Sequence, residues 1–198
     1  MRLFISKEKL KREVKEWLHA IIVALVLTLI LRAFVIQAFK IPSESMYPTL
    51  KKGDKLFVNK FIYRFREPQR WEIIVFKYPE EPKKDFIKRL IGLPGEEVEI
   101  RDGKIYINGD SPPPPAEIAD TVYYNQPPFG ARGQKVRVPP DAYFALGDNS
   151  LSSRDSRYWG FVPRKYLVGK AFVRWWPPRR MGRLDRILPR LSEEDRVR

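Results

Sequence analysis

The stretch Glu97-Val98-Glu99-Ile100-Arg101-Asp102-Gly103-Lys104-Ile105-Tyr106-Ile107 decides the fold class. Val98 and Ile100 on one side, Ile105 and Ile107 on the other, alternate with polar residues about an Asp-Gly pair. A tight hairpin turn needs φ > 0 at its centre, and Asp-Gly supplies that at low cost, so the stretch predicts two short antiparallel strands. Working outward, similar runs occur at 55–60, 72–76, 85–91, 135–138, 142–146 and 170–175, each bounded by glycine, proline or aspartate. The pattern predicts a mostly β, antiparallel domain. With 18 prolines in the chain, long helices are not expected within it. Residues 111–133 open on a proline-rich segment (Pro112 to Pro115) and predict a long surface loop. A short basic helix is expected at 184–191, weakened by Gly182 and Pro189.

Composition narrows the chemistry. The chain has 198 residues, enough for one domain or one domain plus an anchor. It carries 38 Lys+Arg against 24 Asp+Glu, a net charge of +14, with no cysteine and one histidine. Thiol nucleophiles, disulfides, cysteine-held metals and His-rich metal sites are therefore excluded. A Ser-His-Asp triad would have to use His19. A hydrolase built from this inventory takes its base from Lys, Asp or Glu. The charge is concentrated at the ends: residues 1–39 are net +4, residues 164–198 net +7, and the 124 residues between them net +3. Basic ends suit anionic lipid or nucleic acid, or form a solvated tail.

The N-terminus reads as an anchor. From Trp17 to Leu31 there is no formal charge, and after Arg32 the apolar pattern resumes with Ala33-Phe34-Val35-Ile36. Fifteen helical residues cover only ~22 Å of a ~30 Å hydrocarbon core, so the span is expected to be 17–39, with Arg32 snorkelling to the interface. A cleaved secretory signal and a buried core helix are the competing readings. The basic cluster Lys7, Lys9, Lys11, Arg12 and Lys15 places residues 1–16 in the cytoplasm. The expected organisation is then a cytoplasmic basic N-terminus (1–16), a transmembrane anchor (17–39), an extracytoplasmic β-rich domain (40–182) and a basic tail (183–198).

Three places carry candidate chemistry. Ile41-Pro42-Ser43-Glu44-Ser45-Met46-Tyr47-Pro48-Thr49-Leu50 packs hydroxyls between prolines that stiffen the loop. It is either a nucleophile loop or an ordinary turn. Lys88 lies in a strand pattern, on the face of Phe86 and Leu90. It is either a desolvated lysine able to act as a base or an edge lysine facing water. Residues 145–160, dense in hydroxyls and charges, are either an active-site loop with an Asp–Arg pair or a polar turn.

Taken in order, the three form a pattern. Pro-Ser-x-Ser-Met-x-Pro-Thr-Leu at 42–50, Lys-Arg-x-x-Gly-Leu-Pro-Gly at 88–95 and Gly-Asp-Asn-x-x-x-Ser-x-Asp-Ser-Arg at 147–157 resemble the motifs of bacterial type I signal peptidases. The segments 53–60 and 70–76, Arg174-Trp175-Trp176-Pro177 and Arg180-Met181-Gly182 extend the resemblance to about residue 182. It implies a membrane serine endopeptidase that removes signal peptides from exported preproteins at Ala-x-Ala-like sites, without metal or cofactor. Preprotein signal peptides and membrane lipid are the implied partners, with no nucleic acid; the implied location is the bacterial cytoplasmic membrane. By the same resemblance Ser45 is the nucleophile and Lys88 the base. Ser43 joins the Ser45 N–H in an oxyanion hole. Ser153 orients the lysine, Asp155 and Arg157 brace that loop, and Arg89 is structural. Ile41, Pro42, Met46, Leu50, Phe86 and Ile87 are the substrate-pocket candidates. Glu44, Trp71-Glu72 and Glu96 depart from the commonest pattern of the family without removing a catalytic group. A relative with the same dyad but another substrate, or a non-catalytic anchored β module, are the alternatives.

Overall fold

The computed structural model describes residues 7–34 and 36–184. A helix, α1 (Lys7–Phe34), leads into eleven strands. These are β1 (Ile36–Lys40), β2 (Lys55–Asn59), β3 (Ile73–Tyr78), β4 (Glu81–Gly92), β5 (Glu97–Arg101) and β6 (Lys104–Ile107), then β7 (Lys135–Arg137), β8 (Ala142–Leu146), β9 (Val162–Pro163), β10 (Leu167–Trp176) and β11 (Gly182–Arg183). A single helical turn, α2 (Ser156–Trp159), precedes β9. The large sheet runs β1-β2-β10-β3-β4-β8-β9 with β11 added on β10, and a smaller one runs β6-β5-β7. Each recorded strand pair is antiparallel. The mostly β antiparallel expectation therefore holds. At the hairpin that led to it, Asp102 and Gly103 have φ of 50° and 76°, the left-handed pair the turn requires.

Three apolar clusters hold the sheets. One, around Ile91, Ile100 and Phe144, fills the space behind the small sheet. Another joins Ile41, Met46, Leu50, Leu56 and Val75. The third joins Ile74, Phe76, Leu90, Tyr143 and Trp159 on the opposite face of β3 and β4. Both faces of β3 are covered, so it reads as an apolar run, whereas β4 is exposed over Glu81–Asp85 and buried from Lys88 onward. Trp71, at which the sequence departs from the family's commonest pattern, is a buried core residue. Across the large sheet, Glu72 is buried and accepts from Arg66, from Lys170 Nζ at 2.8 Å and from the Gln69 N–H at 3.1 Å. It ties β3 to β10.

Several boundaries differ from the sequence reading. The helix stops at Phe34, and Ile36–Lys40 is a strand paired residue for residue with β2, from Ile36↔Asn59 to Lys40↔Lys55. A helical anchor therefore cannot reach Phe39; the apolar run misleads because Ile36, Ala38 and Phe39 also suit a strand. α1 stands clear of the β body, with Trp17 71% exposed and Leu18, Ile21, Leu25 and Leu29 each more than half exposed. That overturns the buried core helix. Among the described residues, no helix is long and apolar enough to cross a membrane. The segment 111–133 is no mere surface loop: it buries Ile118 and Tyr123, and Asn125 Nδ2 donates to Ile100 O at 2.8 Å. The expected helix at 184–191 and most of the tail lie outside the described residues.

Gly169 marks the tightest strand approach in this sheet. A Cβ placed there would sit 2.3 Å from the carbonyl oxygen of Asn59 on β2. Gly169→Ala is expected to destabilise the protein by roughly 1–3 kcal/mol, as overpacking does. Thermal unfolding in detergent checks this; an unchanged melting temperature would mean that β10 and β2 separate freely at that point.

Candidate active site

The loop after β1 is fixed before any side chain enters the account. Ile41 N–H donates to Asp54 O and Gly53 N–H to Ile41 O, both at 2.8 Å. Tyr47 N–H donates to Glu44 O at 3.0 Å and Leu50 N–H to Met46 O at 2.7 Å, closing a tight turn around Ser45. Met46 and Leu50 plug this turn into the core. Arg174 Nη1 donates to Thr49 O at 2.9 Å, which clamps its far side.

Against this loop lies β4, and the two sequence candidates meet. Lys88 Nζ donates to Ser45 Oγ at 2.6 Å. Both are out of water: Lys88 is 4% exposed and Ser45 6%. The Phe86 ring centroid lies 5.6 Å from the ammonium. Burial lowers the Lys88 pKa from the ordinary lysine value to about 8, against the opposite pull of Asp155 and Asp148. The water-facing edge lysine is thereby excluded. Ser43, exposed at the mouth of the site, donates from its hydroxyl to Ser45 Oγ at 3.3 Å.

The third segment closes the site from behind. Arg89, next to Lys88, makes a two-pronged ion pair with Asp148, both contacts at 2.7 Å. Its other guanidinium nitrogen donates to Trp71 O at 2.9 Å. Arg157 pairs with Asp155 through Nε and Nη2, both at 2.8 Å, and also donates to Ser150 Oγ, Ser150 O and Tyr124 O. Asp155 in turn accepts from Gly147 N–H at 3.1 Å. The segment is thus braced by two buried Asp–Arg pairs, Asp148 with Arg89 and Asp155 with Arg157. Ser153 is buried, but its Oγ has no hydrogen-bond partner, so no bond to Lys88 is present.

Sequence reasoning missed the groups that register this brace against Ser45. Asn149 N–H donates to Ser45 O at 3.0 Å, and its Nδ2 donates to Glu44 O at 3.2 Å. A Cβ on Gly147 would fall 2.4 Å from Ser45 O and 2.1 Å from Ser153 Oγ. A bare glycine lets the two loops touch. The signal was present in the Gly-Asp-Asn of the third motif, which was read for its distal Ser, Asp and Arg alone.

Of the pocket candidates, four are brought together. Ile41, Pro42, Phe86 and Ile87, with Phe39 and Val75, line a depression of about 30 Å³. Met46 and Leu50 are 0% exposed and belong to the core beneath it, so they do not form its wall. The family resemblance made them pocket candidates; the turn points them inward instead.

Asp155→Ala would leave the Arg157 guanidinium buried without its carboxylate. Breaking such a pair by removing one partner typically costs about 3–5 kcal/mol. Urea unfolding should show a loss of that order; a change under ~1 kcal/mol would show that the neutral acceptors around Arg157 suffice.

Comparison with known proteins places the chain. A family model described as signal peptidase, peptidase S26, matches residues 14–176. The chain is 44% identical over 187 residues to a probable signal peptidase I-2 of Synechocystis, covering 90% of this chain and 82% of that protein. It is 38% identical over 179 residues to a signal peptidase I of Bacillus caldolyticus, covering 87% and 96% respectively. With a signal peptidase I of Pseudomonas aeruginosa it shares 34% identity over 224 aligned positions, covering 89% of this chain and 79% of that protein. The chain belongs to the signal peptidase family, peptidase S26, and is a serine protease.

Proposed function

We propose that this signal peptidase cleaves preproteins after Ala-x-Ala-like sites with a Ser45–Lys88 dyad, through an acyl-enzyme. One observation carries the reading: the buried 2.6 Å contact between Lys88 Nζ and Ser45 Oγ, on a lysine whose pKa is lowered to about 8. Neutral Lys88 accepts the Ser45 hydroxyl proton as Ser45 Oγ attacks the scissile carbonyl. The Ser43 hydroxyl and the Ser45 N–H donate to the oxyanion. The protonated lysine passes its proton to the leaving amine, and the Ser45 ester forms. Lys88, neutral again, takes a proton from the water that attacks the ester, and Ser45 is released.

Supporting groups divide by what they touch. Asp155 and Arg157, and Arg89 with Asp148, position the loops without contacting the reacting atoms. Ser153 is assigned to orient Lys88. This rests on its unpartnered, buried hydroxyl and on its place beside Gly147, which abuts Ser45 O. Ile41, Pro42, Phe86 and Ile87, which line one apolar depression, are assigned to receive a small side chain of the substrate.

The chain is further proposed to be held at the cytoplasmic membrane by the apolar part of α1, residues 17–34, with the β body extracytoplasmic. An 18-residue helical segment reaches ~27 Å, near the hydrocarbon thickness. Its exposed apolar side chains find no cover in the β body.

Two outcomes test the dyad. In detergent, wild type should cleave a preprotein carrying an Ala-x-Ala site, with Ser45→Ala and Lys88→Ala each slower by at least ~10³-fold at unchanged fold. Substantial activity in either variant would overturn the dyad. The pH dependence has a definite sign. Lys88 must be neutral to act, and burial lowers its pKa to about 8, so kcat/KM of wild type should climb through pH 8 and level above it. A profile flat from pH 6 to 9 would remove Lys88 as the base.

A further inference from the structure

A cavity of about 610 Å³ opens at one end of the large sheet. Strand register identifies the end. β1 starts opposite the last residue of β2 (Ile36↔Asn59), and β10 also starts there (Lys170↔Asn59). β3 ends and β4 begins at the same level (Lys77↔Asp85, with Leu167↔Phe76). Gln37, Lys60, Lys77, Asp85 and Leu167, all lining the cavity, therefore share the sheet end at which the chain arrives from α1. From Phe34 to Ile36 is two residues, at most ~7 Å of chain. The cavity thus faces the surface from which the exposed apolar helix emerges.

Its wall is cationic. Lys60, Arg64, Lys77, Arg164 and Lys165 surround it, opposed by Asp85. Arg164 is already engaged, in a pair with Glu67. Arg64, Lys77 and Lys165 have no carboxylate within ion-pair distance among the described residues. Arg64 and Lys165 instead stand over the rings of Phe61 and Tyr166, at 5.2 and 5.7 Å, which holds their charges in place without cancelling them. Leu167 and Val168 add an apolar strip between the cations. Asp85 also lines the small depression formed by Ile41, Pro42, Phe86 and Ile87, so the cavity adjoins the proposed substrate groove.

A concave site with excess positive charge, an apolar strip and a place next to the anchor matches one chemistry. We propose that this cavity seats the phosphate of an anionic phospholipid headgroup, with Arg64, Lys77 and Lys165 as its ligands. The lipid as source rests on the anchor reading above; the phosphate chemistry does not. Seating a headgroup there would set the height and tilt of the β body, and hence of Ser45, relative to the bilayer.

The test uses the full chain in neutral detergent micelles, with retained lipid counted by native mass spectrometry. The probes are dioleoyl phosphatidylglycerol, dioleoyl phosphatidylcholine and inorganic phosphate. Arg64→Ala/Lys77→Ala/Lys165→Ala is compared with Lys104→Ala/Arg132→Ala/Arg137→Ala, which removes equal charge elsewhere, and preprotein cleavage in lipid-free micelles reports folding. At roughly five-fold per basic side chain, the cavity variant should lose on the order of a hundred-fold in phosphatidylglycerol affinity, and the control variant less than about three-fold. If the triple variant fails to cleave, Lys77→Glu alone should still lose at least about ten-fold. Equal loss in both triple variants, no loss, or no preference for phosphatidylglycerol over phosphatidylcholine would overturn the proposal. Inorganic phosphate bound as tightly as the lipid would overturn the lipid source. Flotation of wild type with neutral phosphatidylcholine vesicles separates the anchor question: failure to float defeats the anchor reading, while the micelle measurement still decides the cavity.

Discussion

The proposed role of Lys88 as a base near neutral pH requires a lysine kept dry, and the arrangement around Ser45 meets that constraint. Desolvation is the largest influence on Lys88, and it acts because β4 carries the side chain into the space between the nucleophile loop and the 147–157 segment. The same segment brings two carboxylates, Asp148 and Asp155, close enough to favour the ammonium form. Left alone they would undo the effect of burial. Each is matched by a buried arginine, Arg89 for Asp148 and Arg157 for Asp155. The loop is therefore braced by strong ion pairs while its net charge near Lys88 stays close to zero. Buried pairs are weak evidence for stability, since an apolar replacement can be as stable. Their value here is geometric: they fix a polar loop at a place where water cannot enter to do so.

Precision at the nucleophile comes from backbone contacts more than from side chains. Ser45 O accepts from Asn149, Gly147 lies against the same carbonyl, and Thr49 O is held by Arg174. Two chain segments far apart in sequence, 147–149 and the strand carrying Arg174, thus hold one turn by its carbonyls. Met46 and Leu50 anchor that turn from below. A serine exposed on a mobile loop would sample many positions relative to Lys88. Here the hydroxyl has one position, and the 2.6 Å contact reflects it.

Much of this was legible in the sequence, for physical reasons that also explain what was not. The hairpin about Asp102-Gly103 could be read because its turn chemistry is local, and the strands of β2, β3 and β8 because their apolar runs are bounded by turn residues. β1 was hidden because three apolar residues in five (Ile36, Ala38 and Phe39), close behind a helix, carry the signal of either element until the pairing with β2 decides. The environment of Lys88 could not be settled by alternation, since β4 is buried from Lys88 onward and a period of two says only which residues share a face. Met46 and Leu50 became groove candidates through the family resemblance, and a shared motif does not report which way a turn points its side chains. Asn149 and Gly147 escaped for a related reason: their partners are main-chain carbonyls about a hundred residues away, which leave no pattern in the side chains.

The missed strand also changes how Ser45 and Lys88 relate to the sheet end at which the chain arrives from α1. Had the helix continued to Phe39, Ser45 would hang from its end on six residues of unpaired chain, and its height would be poorly defined. Instead β1 is locked to β2 through five consecutive residue pairs, and Ile41 is tied to Asp54 immediately after. A five-residue strand spans ~17 Å. Ser45, the proposed nucleophile, therefore stands at a set distance from the sheet end that carries the cationic cavity, and that distance is fixed by ladder hydrogen bonds, not by a linker. One sheet edge sets the height of the site, one dry lysine sets its chemistry, and β4 belongs to both, with Asp85 at its cavity end and Lys88 against Ser45.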